Sequence, residues 1–470
     1  MVNGSGKKYI AIFIGLIMGG TSLGILGSFY VSTFFPNDYS YIEWMWISGS
    51  NTVNLNGVYG LKGVPSANNY PGSRKGAVSW TDSNDNLWLF GGYGYPETGE
   101  QGYLNDLWKY DGVNWTWMSG SKIADVNGVY GSKGVSDSSN CPGGREGAVS
   151  WTDSDDNLWL FGGRSERYTV DFLNDLWRYD GVNWTWMSGS TLCGVSGVYG
   201  TRGVPNSLNC PGGREYAISW TDSDDNLWLF GGNGRPEYGH SLWLNDLWRY
   251  DGVNWTWMSG SKITDVNGVY GTRGVPDSLN YPGGRENAVS WTDSDDNLWL
   301  FGGYGCPEYG DWGYLNDLWK YDGVNWTWMS GSKSCGVSGV HGTKGIPNIA
   351  NFPGCRKNSI SWTDSDDNLW LFGGWQSLDQ RCWGHLSDLW KYDGVNWTWM
   401  SGKKTNGVYG IYGMKGIPNT ETHPGGRESA ISWTDSDDNL WLFGGYGCPE
   451  YGDWGYLNDL WKCDPYIIND

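Results

Sequence analysis

Six arginines are the residues whose spacing in this sequence most directly suggests a shared site. Each stands a few residues before a copy of the segment SWTDSDDN or its variant SWTDSNDN: Arg74, Arg145, Arg214, Arg285, Arg356 and Arg427. A guanidinium group presents a planar fork of donors that matches carboxylates and phosphates. One hypothesis is therefore a common site for an anionic ligand or an acidic peptide. The alternative is internal salt bridging, since four of the arginines are followed directly by glutamates: Glu146, Glu215, Glu286 and Glu428.

A second candidate set is aromatic. Five tryptophans lie in segments that differ from copy to copy: Trp243, Trp312, Trp375, Trp383 and Trp454. Rings beside carboxylates suit sugars, through stacking and hydroxyl hydrogen bonds. They also suit a protein partner, because tryptophan, tyrosine and arginine are enriched in binding hot spots. Packing of the rings against neighbouring loops is the structural alternative.

Cysteines and sequons bear on the compartment. Cys193 and Cys210 share one connecting loop, and Cys335 and Cys355 share another, so two disulfides are possible in an oxidising compartment. The total of nine cysteines leaves at least one without an intramolecular partner. Asn-Trp-Thr sequons are candidate glycosylation sites on hairpin tips, at Asn114, Asn183, Asn254, Asn325 and Asn396. The alternative is that each Gly-Val-Asn is only a turn.

A sequence repeat determines where all these residues lie. The segment SWTDSDDNLWLFGG or its variant occurs six times, and the leading tryptophans are Trp80, Trp151, Trp220, Trp291, Trp362 and Trp433. Runs of Trp, Tyr, Val and Leu bounded by Gly, Asn and Asp predict short strands and tight turns. Each unit contains four predicted strands: A (AVSWT), B (LWLFGG), C (LNDLWKYD) and D (NWTWMSG). Six such units predict an all-β fold, a six-bladed β-propeller of four-stranded blades.

The chain is expected to close its own ring. The last unit ends after LNDLWK without a copy of NWTW, and YIEWMWISGS at residues 41–50 supplies the matching segment. We therefore predict that this N-terminal strand completes the last blade, which removes exposed sheet edges. Strand alternation then places the B–C and D–A loops on one face. Variation concentrated in loops on a rigid scaffold is expected of a binding face.

The repeated residues resemble a known signature. In unit one it consists of the glycine pair Gly91-Gly92, then Asp106, Tyr110 and Trp115. This pattern resembles the kelch repeat, and residues 42–464 are similar to kelch propellers related to the central domain of galactose oxidase. The resemblance implies that the glycine pair allows close backbone approach and that the tyrosine and tryptophan pack between blades.

The same resemblance raises the question of catalysis. Galactose oxidase relatives hold copper with two histidines, two tyrosines and a cross-linked cysteine. Here the four histidines are His240, His341, His385 and His423, and they reproduce no ligand motif. The sequence therefore predicts no metal site, no catalytic residues, no cofactor and no enzyme activity. A copper-dependent, galactose-oxidase-like enzyme is the alternative.

The N-terminal region predicts membrane attachment. Residues 1–8 are polar, and residues 9–35 carry no charge over 27 positions, which is long enough to span a bilayer. Lys7 and Lys8 precede this run, so the N-terminus is expected in the cytoplasm and the propeller outside it. A cleaved signal peptide and a secreted protein are the alternative. A linker (36–41) and a short tail (465–470) flank the repeat domain.

The net charge limits which classes of partner the protein is expected to bind. A formal charge of −20 argues against nucleic acid, whose phosphates require a basic surface. The resulting prediction is a membrane-anchored, single-pass, extracytoplasmic propeller that acts as a binding module. Its ligand, a protein or a carbohydrate, would lie on the face formed by the B–C and D–A loops.

Overall fold

The computed structural model describes residues 42–165, 172–377 and 383–465, which belong to the compact unit Tyr39–Asp470. Regular structure in these ranges is β-strand throughout. The predicted cytoplasmic segment, the 9–35 anchor and most of the C-terminal tail lie outside the described residues. Within the described ranges, no helix is long and apolar enough to cross a membrane.

The strands recur as four positions, A to D, in each of six units. Strands A are Val78–Thr81, Val149–Thr152, Ile218–Thr221, Val289–Thr292, Ile360–Thr363 and Ile431–Thr434. Strands B are Leu87–Phe90, Leu158–Phe161, Leu227–Gly234, Leu298–Gly305, Leu369–Phe372 and Leu440–Gly447. Strands C are Leu107–Tyr110, Leu176–Tyr179, Leu242–Tyr250, Gly313–Tyr321, Leu389–Tyr392 and Gly455–Asp464. Strands D are Trp115–Ser119, Trp184–Ser188, Trp255–Ser259, Trp326–Ser330 and Trp397–Ser401, with Glu43–Ser48 for the last unit.

Short strands extend the units at their loop ends. Before strand A lie Arg74–Lys75, Arg214–Glu215, Arg285–Glu286 and Arg427–Glu428. Between strands B and C lie Tyr93–Gly94 and Gly102–Tyr103 in unit one, and Trp375–Ser377 and Trp383–His385 in unit five. In units one and five, these short strands form small loop sheets that are separate from the main sheet of the unit.

Each unit is an antiparallel sheet in the order A-B-C-D. In unit two, Leu158 of strand B pairs with Thr152 of strand A and with Tyr179 of strand C. Strand A alternates buried and half-buried residues, whereas strand B is buried at every residue from Leu158 to Phe161. This pattern follows from packing on both faces of strand B, as expected where sheets stack face to face.

The last unit is completed by the beginning of the chain, as predicted. Glu43–Ser48 pairs antiparallel with Gly455–Asp464, with Trp44 opposite Cys463. Trp44 is 1% exposed and lies 5.6 Å from the ring of Phe372 in the preceding unit. The two ends of the repeat domain are therefore joined by a continuous ladder, and the last unit has all four strands.

Two circles of hydrogen bonds join the units around a common axis. The serine of each strand A donates its hydroxyl to the serine carbonyl of the preceding unit at 3.0–3.3 Å, in the order Ser79→Ser432→Ser361→Ser290→Ser219→Ser150→Ser79. A backbone N–H···O=C circle of 2.7–3.0 Å lies near the loop end, in the order Gly76→Ser429→Asn358→Asn287→Tyr216→Gly147→Gly76. Strands A therefore encircle a central channel, and the repeated sheets are consistent with a β-propeller.

Large side chains pack between neighbouring units. Tyr110 and Trp115 of unit one contact Trp441 and Phe443 of the last unit, with ring centroids 6.0 and 5.4 Å apart. Burial of such rings contributes about 1.5–3 kcal/mol each. A Cβ on Gly91, whose φ is 69°, would lie 3.0 Å from the carbonyl oxygen of Arg145 in the next unit. The roles expected for the glycine pair, tyrosine and tryptophan are thus confirmed.

The long D–A connections are ordered. Each forms a bridge across its own loop: Val58↔Tyr70, Val129↔Cys141, Val198↔Cys210, Val269↔Tyr281, Val340↔Phe352 and Ile411↔His423. In the first of these loops, the Asn69 amide donates to the carbonyl oxygens of Val64 and of Trp115 in strand D. The turns of these connections are therefore held by hydrogen bonds within the loop and to strand D.

Candidate functional site

The six repeated arginines are buried inside their own units. Each is at most 2% exposed and forms a two-pronged ion pair with the aspartate that precedes strand C or lies within it: Arg74–Asp106, Arg145–Asp175, Arg214–Asp246, Arg285–Asp317, Arg356–Asp388 and Arg427–Asp459. In unit one, the NH1 and NH2 groups of Arg74 each donate to Asp106 at 2.7 Å. Burial alone would lower the pKa of Arg74, but the charge of Asp106 raises it overall.

The same aspartates complete a buried network. Asp106 also accepts hydrogen bonds from the Tyr59 hydroxyl and the Trp108 indole, both at 2.6 Å, while Arg74 donates to the carbonyl oxygen of Gly91. The arginines therefore connect the D–A loop, the glycine pair and strand C. This placement corrects the hypothesis of an anion site: the guanidinium donors are taken up by aspartate and backbone oxygens, so internal pairing is the arrangement found.

A polar cavity of about 420 Å³ opens at the loop end of the central channel. Every unit contributes to its walls: Lys75, Glu146, Arg164, Glu215, Tyr216, Asn233, Glu286, Asn287, Tyr314, Lys357, Asn358, Trp375 and Glu428. These residues follow the buried arginines, follow the glycine pairs or begin strand C. The cavity therefore lies on the face of the B–C and D–A loops.

Tyr216 forms the floor of this cavity. With Asn287 and Asn358 it also lines a second space of about 140 Å³ further along the channel. A Cβ added to Gly147 would lie 3.1 Å from the Tyr216 ring, and one added to Gly76 would lie 3.2 Å from its hydroxyl oxygen. Tyr216 has a left-handed φ of 50°, which is strained for a bulky residue. The absence of side chains at the two glycines thus leaves room for a ring that partly closes the channel.

Four glutamates at one repeat position have different surroundings. Glu146 accepts a 3.1 Å hydrogen bond from the Tyr216 hydroxyl, and Glu428 accepts one of 2.9 Å from the Asn358 amide. Lys357 Nζ lies 3.8 Å from Glu286 Oε1. Glu215 is 5% exposed, and its Oε2 has no hydrogen-bond partner.

The pKa values of these carboxyl groups diverge accordingly. Burial, followed by the negative charge of Glu146, raises the pKa of Glu215 to about 8. Burial also raises the pKa of Glu286, against the opposing effect of Lys357. Burial acts in the same direction on Glu428, but interactions with His385 and Asn358 outweigh it and lower the pKa. One repeat position therefore supplies both a protonated carboxyl and a carboxylate at neutral pH.

The loop tryptophans do not form one cluster. Trp243 is 7% exposed and packs between Tyr304 and Trp312, whereas Trp312 is 59% exposed. Trp375 lines the cavity, and its ring centroid lies 4.7 Å from that of buried His385. Some of the predicted tryptophans are therefore packed inside the protein, and others are accessible to a ligand.

The remaining two tryptophans of the predicted set are Trp454 and Trp383. The Trp454 ring packs edge-on against the His385 ring, with centroids 4.8 Å apart. Trp383 pairs through its backbone with Ser377, and its side chain lies outside the described residues. Trp375 is therefore the member of the predicted set that reaches the cavity among the side chains described.

The candidate disulfides do not form in this structure. Cys210, Cys335 and Cys355 are free thiols, so neither Cys193–Cys210 nor Cys335–Cys355 is bonded. Burial raises the pKa of Cys210 to about 11 and that of Cys355 to about 12, which leaves both thiols protonated. The two disulfides stay predictions for an oxidising compartment. The asparagines of the sequons lie in the C–D hairpin turns, at the opposite end from the cavity: Asn114, Asn183, Asn254, Asn325 and Asn396.

The histidines are dispersed. His240 is exposed on a B–C loop, His341 lies 3.4 Å from Asp388, and His385 Nε2 lies 3.8 Å from Glu428 Oε1. His423 contacts the backbone of Pro424. In the part of the chain that the structure describes, no three His, Cys, Asp or Glu residues are grouped so that they could hold a metal ion. The described residues therefore do not fit a copper centre.

Sequence reasoning missed most of the cavity. It treated the glutamates as partners of the arginines and overlooked Tyr216, Asn233, Asn287, Tyr314 and Asn358. A usable signal was present: these residues occupy positions where the six copies differ although the flanking strands are nearly identical. The residue two places after each arginine, for example, is Gly76, Gly147, Tyr216, Asn287, Asn358 or Ser429.

Comparisons with known proteins return structural neighbours only. No protein-family model and no curated protein matches the chain. Among solved structures, YjhT has a TM-score of 0.47 and 14% identity, covering 83% of this chain and 95% of that one. A fungal alcohol oxidase of the AA5 family in complex with copper has a TM-score of 0.45 and 13% identity, covering 87% of this chain and 77% of that one.

The second neighbour corrects one expectation. The sequence-based prediction that the chain is not an enzyme is withdrawn, because a structure similar over most of its length is a copper alcohol oxidase. At this identity and TM-score, the likeness assigns no activity to this chain. Membership of the kelch family stays a prediction that rests on the repeated residues.

Proposed function

We propose that the protein is a six-bladed kelch propeller, anchored to a membrane outside the cytoplasm, that binds a carbohydrate in the cavity at its loop face. The observation that carries the proposal is the cavity itself. Carboxyl, amide, ammonium, phenol and indole groups from all six units converge there. They do so at positions where the units differ, whereas the strand A serines whose hydroxyl groups join the units are repeated six times.

The size of the cavity favours a small ligand over a protein surface. At about 420 Å³ it falls in the range of ligand pockets, which runs from roughly 300 to 1,000 Å³. A specific protein interface instead buries roughly 1,200–2,000 Å² over a broader surface.

The chemistry of the lining suits sugar hydroxyls. Asn233 and Asn358 can donate and accept, Glu428 accepts, and Lys357 donates. The Trp375 indole lies beside these groups. Such a concentration of hydrogen-bond donors and acceptors matches the hydroxyl edges of a sugar ring.

A glycan array probed with the full-length protein tests the proposal. We expect binding to a restricted set of oligosaccharides, and competition by the same free sugar. Trp375→Ala and Asn358→Ala should each weaken that binding. Asp155→Asn, at the opposite end of the propeller, is the control and should bind as the unaltered protein does.

Two results would count against a carbohydrate ligand. The first is an array without reproducible binding by folded protein. The second is binding that survives both cavity substitutions. A protein recovered by crosslinking, and no longer recovered with Trp312→Ala although still recovered with Trp375→Ala, would favour a protein partner on the exposed rim.

The anchoring part of the proposal rests on the uncharged run at residues 9–35. After expression in its host, the chain should remain in the membrane pellet at alkaline pH, and intact cells should expose the propeller to added protease. A soluble product that begins beyond residue 24 would instead establish a cleaved signal peptide. Protease protection in intact cells would reverse the proposed orientation.

A further inference from the structure

Glu215 differs from the other cavity carboxyl groups because its hydrogen-bonding capacity is not met. It is 5% exposed, lines the cavity and leaves Oε2 without a partner. Glu146 and Glu428, at the same repeat position, each accept a hydrogen bond from a neighbouring side chain. A buried polar atom without a partner costs about 1–3 kcal/mol. A ligand that donates a hydrogen bond to this oxygen would remove that cost.

The charges around Glu215 indicate which kind of donor fits. Glu146 and Glu286 face it from the neighbouring units, and Arg164 and Lys75 face it with positive charge. Of the charged neighbours, Glu146 has the largest effect and opposes ionisation of Glu215. Lys357 and Glu428 complete the charged lining, with the Tyr216 hydroxyl directed at Glu146. These positive and negative neighbours oppose one another, and the largest of their effects on Glu215 comes from the negative charge of Glu146. A cationic group placed beside Glu215 would therefore face the carboxyl groups of Glu215 and Glu146 together.

We propose that the cavity selects amino sugars, with a protonated amine of the ligand donating to the Glu215 carboxylate. This inference rests on the proposed carbohydrate-binding function and specifies its ligand class. A charge-assisted hydrogen bond of this type is roughly twice as strong as a neutral one. The Asn358 amide donates to Glu428, and the side chains of Asn287 and Asn233 bond to Glu286. The remaining donors and acceptors of these three amides can serve the hydroxyl groups of the same sugar.

Binding of the amine is coupled to a proton. In the empty cavity Glu215 is mainly protonated at pH 7, because its pKa is raised to about 8. An ammonium group binds the ionised form, so the proton of Glu215 leaves to solvent when the ligand enters. For an amine that stays protonated, the affinity should therefore increase about tenfold for each unit by which the pH is raised, up to about pH 8.

Titration calorimetry of the full-length protein with two matched disaccharides tests the inference. The probes are chitobiose with free amines and its N,N′-diacetylated form, compared at pH 6, where the sugar amines and Glu215 are both mainly protonated, in two buffers of different ionisation enthalpy. We expect the free amine to bind at least tenfold more tightly and to release about one proton per site. The acetylated form should bind with no proton release.

Substitutions locate the effect. Glu215→Gln should remove both the amine preference and the proton release. Asp155→Asn changes the net charge of this acidic protein equally and should retain the preference, which controls for nonspecific attraction. A thermal melt of each variant checks folding, and the proton count on the unaltered protein does not depend on any variant.

The outcomes separate the two proposals. Equal affinity for both sugars, or tighter amine binding without proton release, overturns the role of Glu215 and leaves a carbohydrate-binding protein. An amine preference that persists in Glu215→Gln does the same. If neither this pair nor any sugar on the array binds, the proposed function fails and the inference fails with it.

Discussion

The two ends of the central channel are built on different principles. At the hairpin end, the A–B turns are nearly identical in all six units, and each serine bonds the aspartate of the next unit: Ser83–Asp156, Ser154–Asp225, Ser223–Asp296, Ser294–Asp367, Ser365–Asp438 and Ser436–Asp85. At the loop end, equivalent positions carry Lys75, Glu146, Glu215, Glu286, Lys357 and Glu428. The hairpin end is symmetric, and the loop end is not.

The symmetric hairpin end closes the ring of units, whereas the asymmetric loop end is suited to recognise a ligand. Identical contacts repeated six times hold the ring together, and two acidic residues of each turn are engaged in them. In unit two, Asp153 accepts from the Asn157 backbone and the Trp159 indole, while Asp156 accepts from Ser83. A ligand such as a sugar lacks sixfold symmetry, so its site requires unlike residues at equivalent positions.

The largest effect should come from the buried pairs of the symmetric scaffold. Arg285→Met leaves the Asp317 carboxylate buried without its partner, which should cost about 3–5 kcal/mol of unfolding free energy. Denaturant unfolding followed by tryptophan fluorescence measures this loss. Replacing both residues with apolar ones should recover part of it. Unchanged stability together with lost ligand binding would instead restore the arginines as a binding site.

The pH dependence of stability should distinguish two glutamates at the same repeat position. The pKa of Glu215 is raised from 4.5 to about 8 in the folded protein, so folding binds a proton between those values. Stability from this group is complete below about pH 4.5 and falls by up to about 1.4 kcal/mol per pH unit as the pH rises towards 8. Glu215→Gln should reduce this fall in stability between about pH 4.5 and 8.

Glu428 provides the matched contrast, because its folded pKa is lowered and its stabilisation is lost as the pH falls. Glu428→Gln should therefore reduce the loss of stability at acid pH and leave the change in stability between pH 5 and 8 unaltered. Unfolding curves at several pH values measure both. Identical profiles for the two variants would mean that the cavity is as symmetric as the hairpin end.

A smaller effect is expected from the aromatic wall of the cavity. Trp375→Ala should weaken sugar binding by about tenfold, equivalent to about 1.4 kcal/mol, because it removes a ring that lines the cavity. Titration calorimetry measures the change. Trp312→Ala is the matched control from the exposed rim, and an equal loss in that variant would show that the ligand is not confined to the cavity.

The smallest effect should come from one hydrogen bond of the hairpin circle. Asp156→Asn keeps a residue type that tolerates the left-handed φ of 61° but removes one of two acceptor oxygens for Ser83. We expect a loss of about 0.5–1.5 kcal/mol and unchanged ligand binding, measured by thermal unfolding and calorimetry. A change in affinity would mean that the two ends are coupled through strand A.

Much of the architecture could be predicted because the repeat states it six times. The strand positions and completion of the last unit by residues 43–48 follow from matching segments in one chain. The candidate site was harder. The glutamates that follow the arginines are evident in the sequence, but only the fold shows that Glu215 faces a cavity while Arg214, one residue earlier, is buried against Asp246. Neighbours on a strand point in opposite directions, and the sequence does not indicate which direction meets protein and which meets the channel.

The sequence by itself determined that the chain is a closed array of similar sheets, because a periodic pattern of apolar residues has few ways to bury every face. It also determined the acidic net charge and an uncharged run at residues 9–35. Only the tertiary structure decided which repeated charged residues form ion pairs with one another and which face the cavity. That decision depends on contacts between residues about 30 positions apart, such as Arg74 and Asp106, and on the meeting of six units at one axis.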